Sequence, residues 1–349
     1  MKLQKILSLF LFFAFLGVCF MLCGFTFFKK ENKVENLQKV QTSTNYSDAK
    51  DNLWCVTFQL VWNDFMDKVN NGQPIKFVGG NPTIADELNK KSYTTDILKD
   101  EDYFKTQGKV SKKLKKQIKK SLKSKFNEKS DILDMIDWSA KNSYLFYTML
   151  KKNFTFLYAF DKLAAAPFNS SSENVKYFGI NEASDYELIN NVKVLFYSPD
   201  EYAVKLSTKE NEDVILFRTD RQDSFENMFS YIVSKSEFSP FDKKDTLKVP
   251  FLSVDELISY DELCMKSIEG TNEIISQAIQ TIKFNMDNKG GSLKSEAAMI
   301  TMKTALIPEE QEPRFFLFDK PFFLFLIEEG KDKPYYAMKV SDTKYLVKE

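Results

Sequence analysis

The run Arg314–Glu329, RFFLFDKPFFLFLIEE, limits what this chain can fold into more than any other stretch. It holds six phenylalanines and is interrupted only by Asp319-Lys320-Pro321 before two glutamates end it. Alternation cannot leave one face of such a run polar, so it predicts a strand buried on both faces inside a sizeable core. Pro321 has no amide proton to give to a ladder and marks a bend, which makes Phe322–Ile327 the strand proper. A polar turn follows, and Pro334–Val340, PYYAMKV, returns as the second strand of a carboxy-terminal hairpin.

A core of that kind needs a large domain around it. The chain has 349 residues, and one domain of about 300 residues lies within the usual upper range. Formal charge is zero, which gives no general pull toward nucleic acid. The absence of histidine decides more. It removes Ser-His-Asp and Cys-His catalysis, histidine-ligated zinc and histidine as a general base near neutral pH. For an enzyme the remaining candidates are carboxylate pairs such as Asp134 and Asp137. At i, i+3 these could share a helix face, and ordinary surface charge explains them far more readily. Gly79-Gly80 is a chain break without the basic residue and helix start of a phosphate loop, and nothing in the sequence calls for a metal or cofactor.

Three regions divide the chain: residues 1–30 as an anchor or signal segment, 31–50 as a polar tether, and 51–349 as the folded domain. Ile6–Phe28 runs 23 residues without a charge between flanking lysines. As a helix it would span roughly 34 Å, enough to cross a bilayer. Its far end, Gly24-Phe25-Thr26-Phe27-Phe28, is a poor cleavage site, so an uncleaved single-pass anchor is expected, with a cleaved signal peptide as the alternative. Cys19 and Cys23 lie within this apolar segment. Cys55 and Cys264 are expected to be two separate buried thiols.

Within the domain, Trp54, Phe58, Val61, Phe65 and Val69 recur at helical spacing, which predicts an amphipathic helix over Asn52–Val69. Lys109–Lys125 holds nine lysines and no acid. Val110, Leu114, Ile118, Leu122 and Phe126 recur every four residues there, so this stretch also predicts a helix, with a narrow apolar seam. Its lysines, Lys112, Lys113, Lys115, Lys116, Lys119 and Lys120 among them, read either as a solvated face or as a site for polyanions such as acidic polysaccharide or anionic lipid. From Val192 onward, VKVLFYSP, YAVKLS and DVILFRT are strands separated by turns.

Residues Phe316–Leu326, FLFDKPFFLFL, resemble the signature of the serpin family, with Phe318, Asp319, Lys320, Pro321 and Phe322 at its centre. The strand after it is similar too, although Met338 stands where the family usually has Gly and Thr343 where it usually has Pro. Asp213–Thr219 with Ser224–Val233, then Lys248–Ser253, Tyr260–Ile268 (as a short helix) and Ile275–Asn288 resemble further serpin elements in order. The resemblance covers roughly Leu145–Val340, with a shortened and divergent amino-terminal half. It implies an α+β fold with large β-sheets, peripheral helices and an exposed reactive-centre-type loop before the carboxy-terminal hairpin. It also favours an extracellular body on the membrane anchor, or secretion if the signal is cleaved.

The loop is Lys289–Pro313. Gly290, Gly291, Ser295, Glu296, Ala297 and Ala298 resemble the family's small-residue hinge. Met299, Ile300 and Met302 are bulkier than the family prefers and are expected to slow entry into a packed sheet. Counting from the glycines puts the scissile bond near Thr304-Ala305, counting from Ser295 puts it near Pro308-Glu309, and a basic-specific protease would cut after Lys303. The resemblance implies a cell-surface suicide substrate for a serine or cysteine protease, needing no catalytic residue or cofactor of its own. The alternative is a non-inhibitory binding protein of the same fold, using the lysine helix for polyanions.

Overall fold

The computed structural model describes residues 52–140, 142–292 and 312–349. In chain order, β1 (Asn52–Cys55) leads through Val56 into α1 (Thr57–Asn70). Then come α2 (Thr83–Asn89), β2 (Tyr103–Lys109), α3 (Lys112–Phe126) and β3 (Tyr144–Leu150). The short β4 (Phe154–Thr155), β5 (Asp161–Pro167) and β6 (Asn174–Ile180) precede the meander β7 (Val192–Tyr197), β8 (Tyr202–Ser207) and β9 (Glu212–Arg218). Next are α4 (Phe225–Lys235), β10 (Ser239–Pro240), β11 (Thr246–Pro250), β12 (Leu252–Ser259), β13 (Ile279–Met286) and β14 (Gly290–Ser292). The chain closes with β15 (Phe315–Leu317), β16 (Phe322–Glu328) and β17 (Tyr336–Val340).

These strands form an α+β fold of four sheets among the described residues. The largest runs β1-β17-β16-β9-β8-β7-β10, two four-stranded sheets run β15-β11-β6-β5 and β12-β13-β14-β4, and β2 pairs with β3. The phenylalanine-rich run serves two of them. Phe315–Leu317 lies parallel to β11, the chain bends at Asp319–Pro321, and Phe322–Glu328 enters the seven-stranded sheet between β17 and β9. Lys248 Nζ holds the bend at 3.0 Å from Asp319 Oδ2.

All seven residues of β16 are buried, as a run without polar alternation requires. Phe323 and Phe325 stack on one face and meet Phe225 and Phe229 of α4, while Phe322 meets Phe168 and Phe318 on the other. The hairpin to β17 pairs Phe322 with Val340 and Leu326 with Tyr336.

The first expected helix is shorter than its apolar stripe. Asn52–Cys55 pairs antiparallel with β17, so Trp54 is buried from a strand and the helix begins at Thr57. Strand pairing at the sheet edge satisfies the backbone there, and helical spacing alone could not reveal that. The expected helix over Tyr260–Ile268 reduces to one 3-10 turn, Asp261–Leu263. Beyond it Met265 takes φ 57° and its N–H donates to Ile275 O (2.8 Å), and Ser267 bridges Ile274, so the segment folds back as a hairpin. Cys55 and Cys264 are free thiols, but each is only partly buried. Among the described residues no helix is long and apolar enough to cross a membrane, and the expected anchor at residues 6–28 lies outside them.

Replacing Phe325 by Ala removes a ring packed on both Phe225 and Phe229. Chemical unfolding is expected to show a loss of about 3–5 kcal/mol. A loss below about 1 kcal/mol would mean that β16 is not the core strand.

Candidate functional site

β14 is the point from which the site is built. Its three residues lie antiparallel between two strands: Ser292 and Gly291 pair with Asn285 and Met286 of β13, and Gly290 and Gly291 pair with Thr155 and Phe154 of β4. Only glycine fits there. Gly290 has φ 154°, and a Cβ on it would stand 2.2 Å from Phe154 O; one on Gly291 would stand 2.3 Å from Phe154 Cζ. The adjoining turn is fastened as well: Phe156 N–H donates to Lys289 O (2.9 Å), Phe160 N–H to Asn288 O (2.8 Å), and the buried Asn288 side chain donates to Phe160 O (2.9 Å).

Beyond Ser292 the strands on either side diverge. β3 pairs only with β2 and, before Asn285, β13 pairs only with β12 among the described residues. Between β3 and β13 lies a cleft of about 1150 Å³, with Phe58, Val61, Trp62 and Phe65 of α1 among its lining. The facing strand edges therefore present backbone donors and acceptors to the cleft with no ladder partner in the described structure. Along β13 the residues alternate: Gln280, Ile282, Phe284 and Met286 are buried, while Lys283 and Asn285 are exposed.

The far end of the loop is anchored independently. Arg314 donates Nη2 and Nε to Asp245 Oδ2 at 2.7 and 3.2 Å, its backbone N–H to Asp245 Oδ1 at 2.9 Å, and further guanidinium bonds to Ser239 Oγ and Pro240 O. Asp245 is buried, so this is a desolvated, hydrogen-bonded ion pair. Nothing in the sequence around Asp245 marks it as the partner of a residue 69 positions away.

Of the expected site residues, Gly290 and Gly291 form β14, and Phe318–Phe322 form the bend and start of β16. Ser295, Glu296, Ala297, Ala298, Lys303, Thr304 and Ala305 lie outside the described residues. The lysine stretch is a helix, as expected: Ser111 Oγ caps it by accepting from Leu114 N–H (3.2 Å), and Leu114, Ile118 and Leu122 are its buried seam. Its charge is not uniform. Lys115 and Lys119 pair with Asp134 at 2.8 and 3.3 Å, whereas Lys112, Lys113, Lys116 and Lys120 are exposed and make no ion pair among the described residues.

Asp134 and Asp137 do not share a helix face. Residues 131–140 are turns, in which Ser130 Oγ accepts from Ile132 and Leu133 N–H, a local bond that competes with helix. Hydrogen bonds from Lys115 and Lys119 hold the Asp134 carboxyl below its ordinary value, and those from Ser139 do the same for Asp137. Neither is tuned for proton transfer near neutral pH.

The glycine-started β14 thus lies at the head of the cleft, and β16 and β17 form the buried carboxy-terminal hairpin. No family model matches the sequence, and no curated protein matches it. Solved structures do match. Maspin aligns with a TM-score of 0.52 at 12% identity, over 84% of this chain and 92% of that one. Serpin48 of the insect Tenebrio molitor aligns at 0.46 and 12% over 84% and 92%, and human thyroxine-binding globulin at 0.42 and 11% over 83% and 91%. The fold of this chain is serpin-like.

Two substitutions check the site. Gly291→Val should unseat β14 and speed amide exchange at Phe156 at least about tenfold; unchanged exchange would show that the strand does not depend on that close approach. Arg314→Ala removes the guanidinium from buried Asp245, which keeps only backbone donors, and should cost about 3 kcal/mol in equilibrium unfolding.

Proposed function

We propose that the protein is a serpin-type protease inhibitor that acts as a suicide substrate and is not itself an enzyme. The observation that carries this is β14, seated as an inner strand of its four-stranded sheet at the head of a cleft flanked by two unpaired strand edges. Continuing its register would set Leu293 against Phe284, Ser295 against Ile282 and Ala297 against Gln280, all at buried positions of β13. Lys294 and Glu296 would face outward with Lys283 and Thr281. Small or apolar residues inside and charged ones outside are what a strand in this cleft requires.

In this reading a serine or cysteine protease attacks the loop around Lys303, Thr304 and Ala305. Its nucleophile forms an acyl bond to the carbonyl at the cut, and the released amine stays with the piece held by Arg314 and Asp245. The other piece, bearing the acylated protease, enters the cleft before water completes hydrolysis. All the bond chemistry belongs to the protease, so a chain without histidine is equal to the task. Residues 6–28 are proposed as the tether that holds the body outside the cell, with secretion after cleavage as the alternative. Protease added to intact cells should then release the domain.

The deciding experiment incubates the purified domain with a panel of serine and cysteine proteases. An SDS-stable complex, with a rise in melting temperature after loop cleavage, is the expected result. Cleavage within Lys289–Pro313 with neither outcome would overturn inhibition.

A second reading, polyanion binding, is favoured by the four unpaired lysines on one formed helix. Each neutralised contact adds to affinity in a salt-dependent way. Changing Lys112, Lys113, Lys116 and Lys120 to Gln should lower the salt needed to elute the domain from immobilised heparin. Equal elution of both forms would end this reading.

A further inference from the structure

Lys152 lies in the three-residue connection between β3 and β4, and its side chain is buried. Its ammonium sits 2.9 Å from Asp102 Oδ2, 2.6 Å from Glu212 Oε1 and 2.6 Å from Glu328 Oε1, and 4.7 Å above the centre of the Tyr335 ring. The carboxylates come from different places. Asp102 immediately precedes β2, Glu212 opens β9 and Glu328 closes β16, where the two glutamates are direct cross-strand partners. Lys99 also faces them: its backbone N–H donates to Glu328 Oε1 (2.9 Å), and its partly exposed ammonium stands 3.7 Å from Glu212 Oε1.

This grouping resembles a metal-binding carboxylate set, but the Lys152 ammonium already stands in its centre. Three buried carboxylates therefore face one buried ammonium. The Tyr335 hydroxyl also faces Glu212, and Glu212 Oε2 and that hydroxyl are both buried without a hydrogen bond of good geometry. With all three ionised, the cluster holds more negative charge than Lys152 and the more distant Lys99 compensate well, and buried charge without close compensation is costly. One proton on a glutamate relieves that.

We infer that Asp102, Lys152, Glu212 and Glu328 form a proton-operated latch that fastens the β3–β4 junction to the seven-stranded sheet. The latch is tight while the cluster holds an extra proton and slack once the proton is lost. Burial pushes the Glu212 carboxyl up to about 7, against 4.5 when exposed. For Lys152, burial works against the charged form, but the charge of Glu212 and hydrogen bonds to all three carboxylates hold its ammonium above the ordinary value. Lys152 stays charged throughout the range that matters.

The direction follows from linkage. The closed state keeps the Glu212 proton up to about pH 7, while an opened state releases it near 4.5. Closure therefore binds a proton between these values, and its stability falls as pH rises through that window. β4 is the strand against which β14 is seated, so a slack latch loosens the head of the cleft. The latch concerns this junction alone and holds whether or not the protein inhibits a protease.

Amide exchange of residues 150–156 in the whole folded protein, corrected for intrinsic exchange, tests it at pH 6 and pH 8. Opening should be about tenfold more frequent at pH 8 in the wild type and independent of pH in Glu212→Gln. Equal pH dependence in both, or none in the wild type, would overturn the latch. If Glu212→Gln does not fold, carboxyl carbon-13 titration of the wild type decides instead. A Glu212 midpoint near 7 supports the latch, and one below about 5 refutes it.

Discussion

The ammonium of Lys152 is the interaction on which the arrangement of the sheets depends. It reaches a carboxylate just before β2 and two more on adjacent strands of the seven-stranded sheet, from a backbone position between β3 and β4. The β2–β3 pair has a small core of its own, in which Leu114, Ile118 and Leu122 of α3 meet Leu133 and Tyr147. It is joined to the main core by Phe146 against Phe65, by the Lys105–Asp64 pair and by the buried ion cluster. Hydrophobic contact would pack the same junction more cheaply, since buried ion pairs recover little net free energy. What they add is directionality: one oxygen of each carboxylate accepts from the same ammonium at a set distance.

That cluster makes the cleft intelligible. Two sheets whose edge strands face each other across a cleft leave backbone groups unpaired, and proteins ordinarily cover or blunt such edges. Here the edges of β3 and β13 flank an aromatic-lined floor, and the chain that could cover them begins at β14. Both flanks of the intervening segment are held firmly, at one end by Gly290 and Gly291 between two strands and at the other by the Arg314–Asp245 pair.

The sequence disclosed elements buried on both faces or patterned over several turns. The β16–β17 hairpin, the meander from Val192 and the lysine helix could all be read from residue order, because burial and periodicity are local properties. What could not be read depended on partners distant in sequence. Nothing near Asn52 announces that it pairs with Lys339, so helical spacing alone carries the stripe through a strand. Lys152 looks like one of many lysines, and only folding places Glu212 and Glu328 beside it. Gly290 and Gly291 stand out in the sequence, but the approach of Phe154 that requires them does not.

The same register bears on the bulky residues of the loop. Numbering from Gly291 opposite Met286 gives odd-numbered residues the buried face of β13 and even-numbered residues the exposed face. Ile300 and Met302 would fall opposite Gln277 and Ile275, beyond the end of β13. Met299 alone would point inward, and it would stand opposite Ala278, the smallest side chain available on that row. A large residue facing a small one is the way packed layers interdigitate without strain. If the register held one residue past β13, Met299 would be matched by the small side chain of Ala278.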